Sequence, residues 1–197
     1  MPALALNCPF ESLPTDTTTA RGVVVTPRHF GLATVHARKG GSAPLVARIR
    51  EHFNIQLPSG PSHVASGDIA FVGTGPGAWL AVQRSVGNSL AQTLVKSVGR
   101  LASVVDQTGG YAVLNLSGPR VRDALSKVIP VDIRPQSFVV GDAASTVAAH
   151  IGAMMWRLND DSAGLPVFEI AVFRSLAESF WRALSSSLAE YGVAYAG

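Results

Sequence analysis

The residues able to do chemistry are few and scattered. Gly73-Thr74-Gly75-Pro76-Gly77 has the glycine density of a phosphate-binding loop. A dinucleotide cradle, however, sets its glycines between a strand and a helix, so that the helix N-terminus meets the pyrophosphate. Here a second strand-like segment follows, and Pro76 removes an N–H that the cradle would use. A hairpin turn is the expected role. No G-x-x-x-x-G-K-[ST] run is present. His29, His36, His52, His63 and His150 lack the i+2 or i+4 partners that build a metal site locally. The serines include no G-x-S-x-G elbow, and the single cysteine, Cys8, lies in an irregular stretch away from any helix N-terminus that would lower its pKa.

Asp160-Asp161 stands beside Ser162 and Gly164 and reads as a solvated loop, without the burial that acid–base work requires. Arg120 and Arg122 in SGPRVRDAL mark a helix start where an anion could bind. Two residues apart they point to different faces, and Asp123 balances the first turn. Trp79, Trp156, Trp181 and Met154-Met155 fall in apolar segments and are expected in the core. No residue is assigned a catalytic, cofactor-binding or metal-ligating role.

The elements that would position these residues follow from periodicity. Residues 1–20 hold Pro2, Pro9 and Pro14 and no period, which describes an extended arm. Leu4, Leu6, Phe10 and Leu13 are apolar there with no local core, so the arm is expected to lie on another chain. GVVVTP and LATVHAR are strand-like; a helix capped by Ser42 carries Leu45, Ile49 and Phe53, and the polar segment from Gln56 to Ser66 ends it. DIAFVGTG and AWLAVQR flank the glycine turn, and a helix from about Val86 to Arg100 follows. The second half repeats the order with SVVDQ, YAVLNLS, a helix from Pro119 to about Val128, STVAAHI, AMMWRL, VFEIAVF and a last helix. Ser175-Leu176-Ala177-Glu178 has the form of a capping box, Leu176, Phe180, Leu184 and Leu188 form one stripe, and Gly192 stops the helix. The expected fold is α+β: two β-α-β-β-α halves, about 21–101 and 102–197, with helices on mainly antiparallel sheet in one integrated unit spanning 21–197.

Composition narrows the class further. With 47% hydrophobic residues in 197 there is ample apolar surface for a core. Charged residues make up 15%, below the roughly 25% of average soluble domains, which suits a surface partly covered by a partner. The net charge of +3 is spread without basic clusters, so nucleic acid is not an expected partner. One cysteine leaves no internal disulfide framework, the N-terminal residues lack a basic n-region, and no apolar run approaches a membrane span; a cytoplasmic protein is expected.

One stretch carries a likeness. L-S-G-P at Leu116 to Pro119, P-V-D-I-R-P at Pro130 to Pro135, Gly141-Asp142 and W-R-L at Trp156 to Leu158 follow the Asp-containing strand end SVVD, and PVFEIAVFRSLAESFWRALSSSLAEYG continues the pattern. From Ser103 to Gly192 the chain resembles the sarcosine oxidase gamma subunit family and, more distantly, the folate-binding aminomethyltransferase of the glycine cleavage system. The resemblance implies an aminomethyltransferase-like fold and a non-catalytic, structural place beside alpha, beta and delta subunits, chiefly the alpha subunit. It also implies a complex that oxidatively demethylates sarcosine to glycine with FAD, FMN and NAD and passes the one-carbon unit to tetrahydrofolate, none of these bound by this chain. In the folate-binding relatives a D-x-S-x-x-G turn precedes an acid that helps hold the pterin. Asp106-Gln107-Thr108-Gly109-Gly110 lacks that serine and the acid. The other reading is a stand-alone folate-dependent one-carbon transferase or folate-binding protein of the same fold.

Overall fold

The computed structural model describes residues 9–10, 22–85 and 89–195. In chain order they form β1 (Val23–Arg28), β2 (Gly31–Ala37), α1 (Ser42–Phe53), β3 (His63–Ser66), β4 (Ile69–Gly75), β5 (Ala78–Gln83), α2 (Leu90–Val98) and β6 (Ala102–Asp106). Then come β7 (Tyr111–Ser117), α3 (Val121–Ser126), β8 (Ala143–Ala148), β9 (Ile151–Leu158), β10 (Val167–Phe173), α4 (Ala177–Leu188) and β11 (Val193–Tyr195). One sheet runs β3-β4-β5-β2-β6 and the other β11-β1-β7-β10-β9-β8. Every named strand pair is antiparallel except β1 with β11.

The order β-α-β-β-β-α-β occurs twice, as β2 to β6 and as β7 to β11. The anticipated α+β architecture is present, with two strands beyond the nine expected segments. β3 forms at the end of the stretch expected to be a loop, and β11 follows the last helix. β1 belongs to neither repeat by position. It slots between β7 and β11, with Val25 opposite Leu116 on one side and Tyr195 on the other. That insertion needs glycine. A Cβ on Gly22 would overlap the carbonyl oxygen of Tyr191, and one on Gly118, which has φ +123°, would meet the carbonyl oxygen of Gly22.

Three cores stack in layers. α1 and α2 cover the outer face of the first sheet through Leu45, Ile49 and Leu94 against Val35 and Phe71. α3 and α4 cover the second through Leu125, Phe180 and Leu184 against Leu114 and Phe168. Between the sheets, Leu32, Val72 and Leu80 meet Val113, Trp156 and Ala171. Strands buried on both faces lose the period-2 pattern, which is why VFEIAVF reads as a continuous apolar run.

Several local expectations are corrected. Phe10 is 1% exposed and packs in the core under α3 and α4 with Val23 and Val25, so this arm residue has a home in its own chain. Leu4, Leu6 and Leu13 lie outside the described residues. Ser42 sits inside α1, whose N-cap is Gly41 without a side-chain bond, whereas Ser89 Oγ does accept the Gln92 N–H of α2. Ser175 makes no cap. It lies in a 3-10 turn, Arg174–Leu176, because the Arg174 N–H is still tied to Gly110 O and α4 starts only at Ala177. His150, expected in a strand, forms with Ala149 the turn between β8 and β9, both at positive φ. α3 is a helix of six residues, shorter than the span from Pro119 to Val128.

Candidate functional site

A cavity of about 1080 Å³ opens where strands of both sheets end. The end of β1 brings Arg28 and His29, the start of β2 brings Gly31 and Leu32, and the turn Asp106 to Gly110 closes the opposite wall before Tyr111 opens β7. This turn is the stretch that lacks the relatives' serine. Thr108 supplies a hydroxyl at that position: it accepts the Leu32 N–H at 3.1 Å, while the Gln107 N–H reaches Leu32 O at 2.8 Å. Asp106 Oδ1 accepts the Thr108 N–H at 2.9 Å, so the acid of the turn caps its own loop and stays exposed at the cavity lip. The turn therefore fastens β6 to β2 before the chain crosses to the other sheet.

Between the sheets lies a polar centre that the sequence did not announce. Glu169, on β10, is 0% exposed between the sheets. The Trp156 indole N–H donates to its Oε2 at 2.7 Å, the Asn115 amide donates to Oε1 at 3.5 Å, and an Arg84 guanidinium nitrogen stands 3.7 Å from Oε1. Burial pushes the Glu169 carboxyl above the usual range, against the pull of Arg84, the two hydrogen bonds and Arg28. His63 stacks on Trp156 at 6.3 Å between ring centroids and 4° between planes. Burial first, and Arg84 second, lower its pKa to about 4. Its Nε2 is buried without a hydrogen-bond partner. A glutamate within an apolar strand was the one available signal, masked by burial on both faces.

The other singled-out residues have structural duties. Gly73 to Gly77 form the β4–β5 hairpin with a register shift between Gly73 and Gly75. Trp79 donates to Pro58 O at 2.8 Å inside the first core, and Trp181 sits half-buried edge-on to Tyr195. Met155 is core and Met154 packs between the sheets. Arg120 pairs with Asp123 at 3.1 Å and lies over Tyr191, while Arg122 donates to Ile133 O and lies over Phe168, so the two do point apart. Asp161 Oδ1 accepts the Ala163 and Leu165 N–H groups of its turn. Asp160 does more than the loop reading anticipates: it holds Arg157, 4% exposed, which also donates to Leu158 O and Val167 O. Cys8 lies outside the described residues. Among the described residues no three His, Cys, Asp or Glu side chains converge as metal ligands, and no helix is long and apolar enough to cross a membrane.

Among the described residues, the groups that would grip a dinucleotide or a pterin are not brought together in one place. The glycine-rich segment lies between two strands, and among the described residues the one acid lining the cavity is the turn-capping Asp106. The buried acid, Glu169, is committed to Trp156 and Asn115.

Twin units of helix-covered antiparallel sheet define an architecture of the aminomethyltransferase type. Aminomethyltransferase T of the glycine cleavage system from Bartonella henselae superposes with a TM-score of 0.63 at 16% identity, over 91% of this chain and 49% of that one. The heterotetrameric sarcosine oxidase from Corynebacterium sp. U-96, solved in complex with pyrrole 2-carboxylate, has a chain that superposes with a TM-score of 0.79 at 23% identity, over 97% of this chain and 98% of that one. The model of the sarcosine oxidase, gamma subunit family matches residues 39–190, and the chain belongs to that family. Among relatives, the sarcosine oxidase subunit gamma of Corynebacterium sp. (strain U-96) is 30% identical over 148 residues, 73% of this chain and 68% of that one. The subunit gamma of an Arthrobacter sp. is 36% identical over 89 residues, and the match spans 43% of its length.

Proposed function

We propose that this chain is a non-catalytic, structural gamma subunit of a heterotetrameric sarcosine oxidase that works in the cytoplasm beside alpha, beta and delta subunits and contacts chiefly the alpha subunit. The observation that carries the reading is the family match over residues 39–190. The polar groups buried between the sheets agree with it, because Glu169, Trp156 and Asn115 bond to one another rather than facing a substrate. In this reading the larger chains oxidatively demethylate sarcosine to glycine with FAD, FMN and NAD and hand the one-carbon unit to tetrahydrofolate. The gamma chain binds none of these and contributes shape.

The test is purification of the native complex followed by weighing of its chains. Larger flavin-bearing chains in fixed ratio with this one are the expected result, with flavin absorbance leaving this chain when the subunits are separated. Sarcosine turnover or stoichiometric flavin on the separated chain would overturn the reading.

A further inference from the structure

We propose that the cavity at the strand ends is filled by the chain's own residues 3–8, which makes it an internal socket rather than a ligand site. The proposal goes beyond the subunit reading and stands independently of it. Connectivity is the first argument. Pro9 is itself a lining residue, and Phe10, next to it, is 1% exposed in the core under α3 and α4. Phe10 therefore anchors the chain, and residue 8 is one peptide bond from the cavity wall. Six extended residues reach roughly 20 Å, enough to cross a hollow of about 1080 Å³. A segment tethered this closely is presented to the hollow at an effective concentration on the order of millimolar.

The second argument is chemical. Ala3-Leu4-Ala5-Leu6-Asn7-Cys8 carries no charged side chain. The cavity walls include Phe30, Leu32, Leu90 and Val113. Apolar groups continue outside it: Phe173 is 49% exposed and stacks on the lining residue Tyr111 at 4.9 Å, and Val105, 52% exposed, precedes the lining residue Asp106. A small-molecule site keeps its apolar groups inside the hollow. Apolar side chains both within a hollow and around its rim match an occupant that runs across the rim, as a peptide segment does. In an extended segment residues two apart share a side, so Leu4, Leu6 and Cys8 would form one apolar edge toward the walls and Asn7 would face away.

The experiment uses the full chain, both as purified with any partners and separated from them. The photo-crosslinking residue p-benzoylphenylalanine is placed at position 6 and, as a control, at Val95, which is 51% exposed on α2. Crosslinks from position 6 to the chain's own peptides around Leu32, Tyr111 or Phe173, in both preparations and with none of these from 95, are the expected result. The single cysteine gives a second readout. Each rate being taken relative to that in urea, maleimide should alkylate Cys8 about tenfold or more slowly than the cysteine of Val95→Cys in a Cys8→Ser chain. The double variant Leu4→Asp, Leu6→Asp should bring the Cys8 rate to within about threefold of that exposed reference, with its circular dichroism unchanged. Crosslinks from position 6 that reach only another chain, that fall elsewhere in this one or that do not form overturn the proposal. So does a Cys8 rate equal to the exposed reference in the parent, or a small molecule retained by the chain in native mass spectrometry. A chain that purifies without any partner bears on the subunit reading alone and leaves these outcomes to decide the socket.

Discussion

The indole N–H of Trp156 and the carboxylate of Glu169 form a 2.7 Å hydrogen bond between neighbouring strands, completely sealed between the two sheets. A buried donor and a buried acid satisfy each other there, at the cost of holding a carboxylate away from water. The folded chain consequently binds the Glu169 proton more tightly than the unfolded chain, so its ionisation weakens the fold as pH rises through the raised pKa. Glu169→Gln keeps an acceptor for Trp156 and removes the titration. Its denaturant midpoint at about pH 8 should equal or exceed the parent's, and the stabilisation that this carboxyl gives the parent on acidification toward the usual 4.5 should be absent. A much weaker Gln variant at about pH 8 would mean that the pairing with Arg84 outweighs the burial.

His63 acts with the opposite sign in an overlapping window. Its folded pKa lies near 4 against the usual 6.5, so the stability that its neutral ring contributes is complete above 6.5 and drains away as pH falls toward 4. The full loss is of order 3 kcal/mol. His63→Phe preserves the stack on Trp156 and should flatten this part of the pH–stability curve. Urea titrations at half-unit pH steps, run on parent, His63→Phe and Glu169→Gln, separate the two contributions; parallel curves for parent and His63→Phe would refute the assignment.

The last helix separates a packing effect from a capping effect. Leu184 is fully buried against the second sheet, and Leu184→Ala should cost about 2–5 kcal/mol. Ser175→Ala should change stability by under about 0.5 kcal/mol, since Ser175 lies in the 3-10 turn and α4 has no side-chain cap. A Ser175→Ala loss near 1 kcal/mol would indicate a cap after all.

Phe10 joins the core under α3 and α4, so Phe10→Ala should destabilise the subunit by about 3–5 kcal/mol. Removing residues 1–14 should lower the melting temperature of the isolated chain, reversing what a free arm would give. Unchanged melting of the truncated chain would return the segment to the partner.

What the sequence made legible was local. Three of the four stripe residues, Phe180, Leu184 and Leu188, and the Gly73 to Gly77 hairpin needed only helical spacing and turn chemistry, whereas Leu176, expected in the same stripe, is 38% exposed because α4 starts after it. Glu169 stayed hidden because alternation vanishes in a strand buried on both faces, and Arg157 because its acceptors, Leu158 O and Val167 O, are backbone atoms without a motif. Ala149 and His150 adopt left-handed backbone without a glycine to announce it. The cavity gathers Arg28, Leu32, Asp106, Tyr111 and Arg174 from segments far apart in the chain, which no spacing rule connects.

The position of β1 also governs the order in which the molecule can be made. β2 to β6 are contiguous, so the first sheet has all its strands by residue 106. β1 leaves the ribosome ahead of them, yet its neighbours are β7 and, at the very end of the described chain, β11. At roughly 5–20 residues per second, about ten to thirty seconds separate the synthesis of the first strand from that of its last partner. Until β7 is made Val23 and Val25 have no strand to join, and β1 stays unpaired on its other side until β11 is made. Newly made chains are therefore most exposed to mispairing at this N-terminal strand.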